Sequence, residues 1–238
     1  MKLSDFTTLS FDCYGTLIDW ESGMIAGLAP LTSQLSTPLS RDQILEAHAR
    51  AESTQQRWTP AMPYSELLSI VYKRLAEDWG LTAPPEACAA YGRSVKDWPA
   101  FPDSAEALAY LSQHFKLVIL SNVDNASFAA SNAKLGVAFD AIITAQDVGS
   151  YKPSDRNFEY MLEVLAGRGI EKSQILHTAE SLFHDHVPAH RHGLTCAWIY
   201  RRHGQDGFGA TMTPSHQPDI AFQFTSMAEM VRAHQAQI

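Results

Sequence analysis

Six short apolar runs, most of them separated by stretches with helical periodicity, constrain this chain more than any other feature. They are LSF at 9–11, KLVIL at 116–120, AIITA at 141–145, QILHTA at 174–179, CAWIY at 196–200 and IAFQF at 220–224. Each is short enough to be a buried strand. The segments between them carry apolar residues at the 3.6-residue period. In SDRNFEYMLEVLAGRG, Phe158, Met161, Leu162 and Leu165 fall at i, i+3, i+4 and i+7, and Gly167 supplies a stop. DSAEALAYLSQHF repeats the pattern with Ala105, Leu108 and Leu111. Strands alternating with helices of this length predict an α/β fold built on a doubly wound parallel sheet.

One span breaks the alternation. SRDQILEAHARAE opens on a capping box, Ser40 with Gln43, and continues as a helix. SELLSIVYKRLAEDWG places Leu67, Ile70, Val71 and Leu75 on one face and ends at Gly80. Residues 20–97 therefore read as an all-helical cap inserted after the first strand, with 1–19 and 98–238 forming the α/β core. WPAFPD at 98–103, stiffened by Pro99 and Pro102, reads as the return hinge. The polar, Gly-rich RRHGQDGFGATMTPSHQPD at 201–219 reads as a surface loop without assigned function.

Charge and cysteine content narrow the function class. With 18 basic against 26 acidic side chains, a net charge of −8 argues against a phosphate-backbone partner, so no nucleic-acid binding is expected. No run approaches the length of a membrane span, and Asp5 interrupts the window in which a signal peptide needs an apolar core. Three scattered cysteines, Cys13, Cys88 and Cys196, form neither a CxxC pair nor a disulfide framework, which fits a reducing compartment. A cytoplasmic protein is the expectation.

In an open parallel sheet, ligands sit beyond the carboxyl ends of the strands. Four polar groups fall there: Asp12 after the first strand, Ser121 and Asn122 after the second, Lys152 after AIITAQDVGSY, and Glu180 to Asp185 after ILHTA. Singly, each reads as a helix cap or a solvated charge. Together, at successive strand ends, they read as a site. The histidines at 184, 186, 190 and 192 include an i, i+4 pair, His186 and His190, but no cysteine lies near them and no metal is assigned.

The order DCYGT, LSN, SYKP and AESLFHDH resembles the haloacid dehalogenase (HAD) superfamily over nearly the whole chain. DCYGTLID with LSN and YKP resembles its type II, L-2-haloacid dehalogenase branch. The local phrases WPAFPD, ITAQDVGSYKP and HTAESLFHDH are similar to L-azetidine-2-carboxylate hydrolases of the same branch. The resemblance implies a Rossmann-like core, a small-molecule carboxylate substrate, no cofactor and a homodimer. It implies Asp12 as a nucleophile that forms an alkyl ester, with Lys152 keeping it ionised and Thr16 and Ser121 bonding its carboxylate. Backbone N–H groups near Cys13, Tyr14 and Ser121 would hold the substrate carboxylate, and Asp185 would orient or deprotonate the hydrolytic water. Arg50 with Asn122 would receive a halide.

Tyr14 departs from the superfamily's phosphatases, which carry at that position an acid that protonates a leaving alcohol. Losing it shifts the expected target from phosphorus to carbon and leaves a magnesium phosphatase as the lesser alternative. The last acidic loop departs from the dehalogenases. Glu180 stands where they carry Ser, Leu182 where they carry Asn and His184 where they carry Trp, and Phe158 replaces the Tyr after YKP. A carboxylate at 180 suits a departing ammonium better than a departing halide. On this reading Glu180 and His184 join the substrate-binding set, and azetidine ring opening is the alternative to dehalogenation.

Overall fold

A computed structural model describes residues Met1–Ile238. The six expected strands are present as β1 (Thr8–Phe11), β2 (Lys116–Ser121), β3 (Ala141–Thr144), β4 (Ile175–Ala179), β5 (Thr195–Ile199) and β6 (Phe222–Phe224). They form one parallel sheet in the order β3-β2-β1-β4-β5-β6. The chain winds outward from β1 to β3, then returns to place β4 on the other side of β1. The switch point of the sheet therefore lies between β1 and β4, where a ligand crevice is expected.

Four helices follow β1: α1 (Trp20–Thr32), α2 (Arg41–Trp58), α3 (Tyr64–Asp78) and α4 (Pro85–Gly92). The expected capping box at the start of α2 is formed, with Gln43 N–H donating to Ser40 Oγ and Ser40 N–H to Gln43 Oε1. The remaining helices flank the sheet: α5 (Ser104–Leu111), α6 (Asn125–Leu135), α7 (Ala145–Val148), α8 (Asp155–Ala166), α9 (Val187–Arg191) and α10 (Met227–Gln235). Alternate residues of each strand point to opposite faces. Accordingly Leu117 and Ile119 join one apolar cluster with α5 and α10, while Val118 and Leu120 join another with α8 and α9. The first cluster also takes in Leu28, Leu67 and Val71 of the inserted helices, so the insert packs continuously onto the sheet's own core.

Polar ties hold the insert down beside the strand ends. Asp124 caps α6 by accepting from Ser127 N–H at 2.8 Å, and its other oxygen accepts from Ser65 N–H of α3 at 3.0 Å. The Tyr151 hydroxyl donates to the carbonyl of Met62 just before α3. The loop after β5 departs from its reading as a mere surface segment. Arg202 is buried and bonds Glu21 of α1 and Asp42 of α2. Losing both Asp124 contacts in Asp124→Ala should cost about 1–2 kcal/mol, read as a lower urea midpoint with an unchanged slope.

Candidate active site

Asp12 leaves β1 directly into a tight turn. Gly15 adopts φ +95°, and a Cβ there would sit 3.0 Å from the Trp20 indole, so glycine alone fits. Leu17 and Ile18 both donate backbone N–H groups to Cys13 O, which folds the turn back on itself. The result brings Thr16 over the preceding carboxylate, and Thr16 Oγ1 donates to Asp12 Oδ2 at 2.8 Å. The backbone N–H groups of Cys13 and Tyr14 donate to no protein acceptor. The Cys13 side chain itself is buried among apolar residues.

Lys152 arrives from the loop after α7, beyond the left-handed turn at Gly149 (φ +71°). Asn122 clamps its backbone from both sides, its Nδ2 donating to Lys152 O at 3.0 Å and its Oδ1 accepting from Lys152 N–H at 2.7 Å. The ammonium then donates to Asp12 Oδ1 at 2.9 Å, Leu120 O at 2.9 Å and Asp185 Oδ1 at 2.6 Å. All three of its N–H groups are thereby used. Asp185 comes from a π-helical turn, Leu182–His186, that follows β4. Its Oδ1 also lies 3.1 Å from His177 Nε2, and His177 Nδ1 lies 2.9 Å from Ser10 Oγ. Asp185 Oδ2 is buried with no protein partner.

Two acids thus share one ammonium, and their other partners treat them unequally. Burial raises the Asp12 carboxyl above its ordinary 3.8; Lys152 and Thr16 pull it back while Asp185 pushes it up, and the net shift is upward. Burial would raise Asp185 as well, but Lys152 and His177 outweigh it and hold this acid well below the usual carboxylate range. Asp185 is therefore the firmer anion of the pair.

Above these groups lies a narrow cavity of about 20 Å3. Asp12, Tyr14, Asn122, Val123, Lys152, Ser181, His184 and Asp185 line it from the sheet side. Trp20, Glu52, Gln56 and Tyr64 line it from the inserted helices. Tyr14 presents its ring, since its hydroxyl turns away to Ser131 Oγ at 2.7 Å and Ser127 O at 3.3 Å. His184 meets Ser181 Oγ through Nδ1 at 3.2 Å, and burial lowers it to about 4, so it is neutral near pH 7.

Asp12, Thr16, Asn122, Lys152, His184 and Asp185 are thus brought together, with Cys13 and Tyr14 supplying free backbone N–H groups. Three expectations are corrected. The Ser121 hydroxyl is buried but bonds neither Asp12 nor any other group. Arg50 is on the outer face of α2, its side chain 64% exposed and 3.9 Å from Glu46, because helix phase turns it away from the cavity. Glu180 falls outside the cavity that holds Asp12. Its backbone N–H donates to Thr16 Oγ1 at 2.9 Å, and its side chain enters a neighbouring cavity with Glu21, Arg41, Arg201 and Arg202. Trp20 lines both cavities. Burial, reinforced by Glu21 and Asp12, raises Glu180 to about 8. The histidines at 186 and 192 diverge to Ala179 O and Asp155, and no three His, Cys, Asp or Glu side chains converge as a metal cluster would require.

Sequence reasoning missed Ser10, His177, Trp20, Glu52, Gln56, Tyr64 and Ser181. A signal existed for two of them: Leu45, His48, Glu52 and Gln56 recur at helical spacing on α2, so a polar run continues an apolar stripe.

A family model for haloacid dehalogenase-like hydrolases matches residues 6–178, which span β1 through most of β4. The chain belongs to the haloacid dehalogenase-like hydrolase family. Among its relatives is an (S)-2-haloacid dehalogenase of Pseudomonas sp. (strain YL), 29% identical over 81% of this chain and 82% of that protein. The (S)-2-haloacid dehalogenase of Xanthobacter autotrophicus is 27% identical over 80% of this chain and 74% of its own length. A crystal structure of an L-2-haloacid dehalogenase superposes with a TM-score of 0.77 at 19% identity, covering 97% of this chain and 99% of that one. The Xanthobacter autotrophicus enzyme with chloropropionic acid covalently bound superposes at 0.76, also at 19% identity, covering 98% and 100%. The family's fold is thus this fold, and the family's members are hydrolases.

Removing the shared ammonium tests the charge balance directly. Lys152→Met should cost about 3–5 kcal/mol, because it leaves two buried carboxylates uncompensated, and the loss should shrink on acidification as they protonate. Urea unfolding at neutral and acidic pH checks both parts.

Proposed function

We propose that this hydrolase displaces a leaving group from the carbon next to a small carboxylate, through an ester on Asp12, in the manner of an (S)-2-haloacid dehalogenase. The observation that carries the reading is the seating of Asp12. One oxygen is held by Thr16 and the other by Lys152, at a cavity wall where residue 14 has no acid to offer. Such a carboxylate is oriented and has no proton donor two residues on. That combination suits attack on saturated carbon and suits phosphoryl transfer to an alkoxide leaving group poorly.

The steps follow from the groups present. The substrate carboxylate is received by the free N–H groups of Cys13 and Tyr14. An Asp12 oxygen attacks the α-carbon, and the leaving group departs with the bonding electron pair, giving an alkyl ester with inverted configuration. Water then attacks the carboxyl carbon of Asp12, with Asp185 Oδ2, the unpaired acceptor at the cavity, orienting it. Lys152 and Thr16 stabilise the charge that develops on the carboxyl oxygens. Collapse releases the 2-hydroxy acid and regenerates Asp12. No cofactor takes part in these steps. In this scheme residues 20–97 act as a cap that closes the site, with 1–19 and 98–238 as the core.

A second reading keeps the mechanism and changes the leaving group. Opening of a strained cyclic amino acid such as L-azetidine-2-carboxylate would proceed by the same attack, with a ring nitrogen departing. The absence of a spare cationic donor at the cavity favours it, since Arg50 faces outward and Lys152 has no free N–H.

A panel of (S)-2-chloropropionate, fluoroacetate, L-azetidine-2-carboxylate and p-nitrophenyl phosphate, with and without EDTA, should give halide or ring-opened amino acid and little phosphate. Single turnover in oxygen-18 water should place label in Asp12, and label found only in product would exclude the ester. Asp12→Asn should fold normally and lose turnover by about 10^3-fold or more. Because burial raises Asp12, kcat/KM should fall on acidification at a pH above the ordinary aspartate value of 3.8. The sign follows from the attack requiring the anion.

A further inference from the structure

Glu52 is the one acid at the cavity that has no cation. It lies on α2, reaches the space above Asp12 from the inserted helices, and is 4% exposed. Gln56 Nε2 donates to its Oε1 at 3.3 Å, and His48 Nδ1 stands 3.6 Å from its Oε2. His48 cannot serve as the counter-ion. It is wholly buried, neither ring nitrogen has a hydrogen-bond partner, and burial lowers it to about 3. Burial pushes Glu52 the other way, up to about 7, with Tyr64 pulling slightly downward. A buried carboxyl left without a counter-charge is costly in an apolar protein interior. At this position, on the wall of the cavity that holds Asp12, it is arranged to meet a positive charge brought by the ligand.

The other charges around the cavity agree. No free cation waits there for a departing halide: the lining's one cation is Lys152, whose three N–H groups are spent on Asp12, Leu120 O and Asp185. Asn122, the expected neutral partner for a halide, has its Oδ1 and one of its two amide N–H groups tied to the backbone of Lys152. Asp12, Asp185 and Glu52 make the lining predominantly acidic, which opposes a departing anion and favours a cation.

We propose that Glu52 sets substrate class by binding a protonated nitrogen on the α-carbon, so that the natural substrate is a small cyclic or N-substituted amino acid whose nitrogen is the leaving group. The proposal rests on Asp12 as the displacing group. In the displacement, the Asp12 oxygen–carbon bond forms and the carbon–nitrogen bond breaks, its electron pair going to nitrogen. The ammonium becomes a neutral amine held beside Glu52. The proton that this amine takes up is balanced by the one released when water cleaves the ester. With an azetidinium ring, relief of ring strain assists the break and the product is a 4-amino-2-hydroxy acid.

Two measurements test Glu52 separately from Asp12. The first compares kcat/KM for L-azetidine-2-carboxylate with that for (S)-2-chloropropionate in the wild type and in Glu52→Gln. The ratio should fall by about 100-fold in the variant, and equal losses on both substrates would overturn the assignment. The second needs neither turnover nor a Glu52 variant. Calorimetry on Asp12→Asn should show L-azetidine-2-carboxylate binding at least tenfold tighter than its neutral isostere, oxetane-2-carboxylate. Equal or reversed affinities would sink the proposal even if Glu52→Gln fails to fold. If the wild type turns over neither substrate while the cation preference persists, the displacement reading falls and the Glu52 assignment stands. If either substrate is turned over through labelled Asp12 and no preference is seen, the reverse holds.

Discussion

The Lys152 ammonium, buried between two carboxylates, is the interaction on which the rest of the site depends. Its partners come from the ends of β1 and β2 and from the turn after β4, three adjacent strands at the switch point of the sheet. Only a parallel sheet in the order β2-β1-β4 brings those ends together. The ion group is short of one positive charge, and its two acids divide the deficit unequally. His177, backed by Ser10, gives Asp185 a second donor, while Asp12 has only the neutral Thr16 hydroxyl in addition to the shared ammonium. The acid left less compensated is the one nearest the free backbone N–H groups of the first turn. A carboxylate poorly stabilised in its resting state is a better nucleophile than one fully paired.

The inserted helices complete the charge pattern. They share the apolar cluster of the sheet, and the Asp124–Ser65 and Tyr151–Met62 hydrogen bonds tie them down beside the strand ends. What they bring to the cavity is a tryptophan, a tyrosine, an amide and a carboxyl, with no added cation. In the proposed scheme the sheet side supplies the displacing carboxylate and the helical side bears on what can leave.

The contrast between Arg50 and Glu52 shows where the sequence was readable and where it was not. They are two residues apart on α2, about 200° around a helix, so when one faces the cavity the other faces water. Counting from the first strand could not settle that phase, because it depends on where α2 begins and how it lies on its neighbours. The buried stripe through Leu45, His48, Glu52 and Gln56 settles it. Glu180 misled for a related reason. It follows the end of β4, as expected, but the chain turns there so that its backbone serves Thr16 and its side chain falls in the neighbouring cavity.

By itself, the sequence determined the α/β class, all six strands, the inserted helices and the convergence of Asp12, Lys152 and Asp185. Those features follow from local periodicity and from the rule that parallel strands present their carboxyl ends together. Tertiary structure alone decided which donors reach Asp12, that Ser121 does not, that Tyr14 turns its hydroxyl away, and that a buried glutamate rather than an arginine faces the cavity. Each of those outcomes depends on side-chain direction at a contact between distant segments. A one-residue change of helix phase or turn geometry reverses such a direction, and apart from the stripe on α2 no local pattern in the chain encodes it.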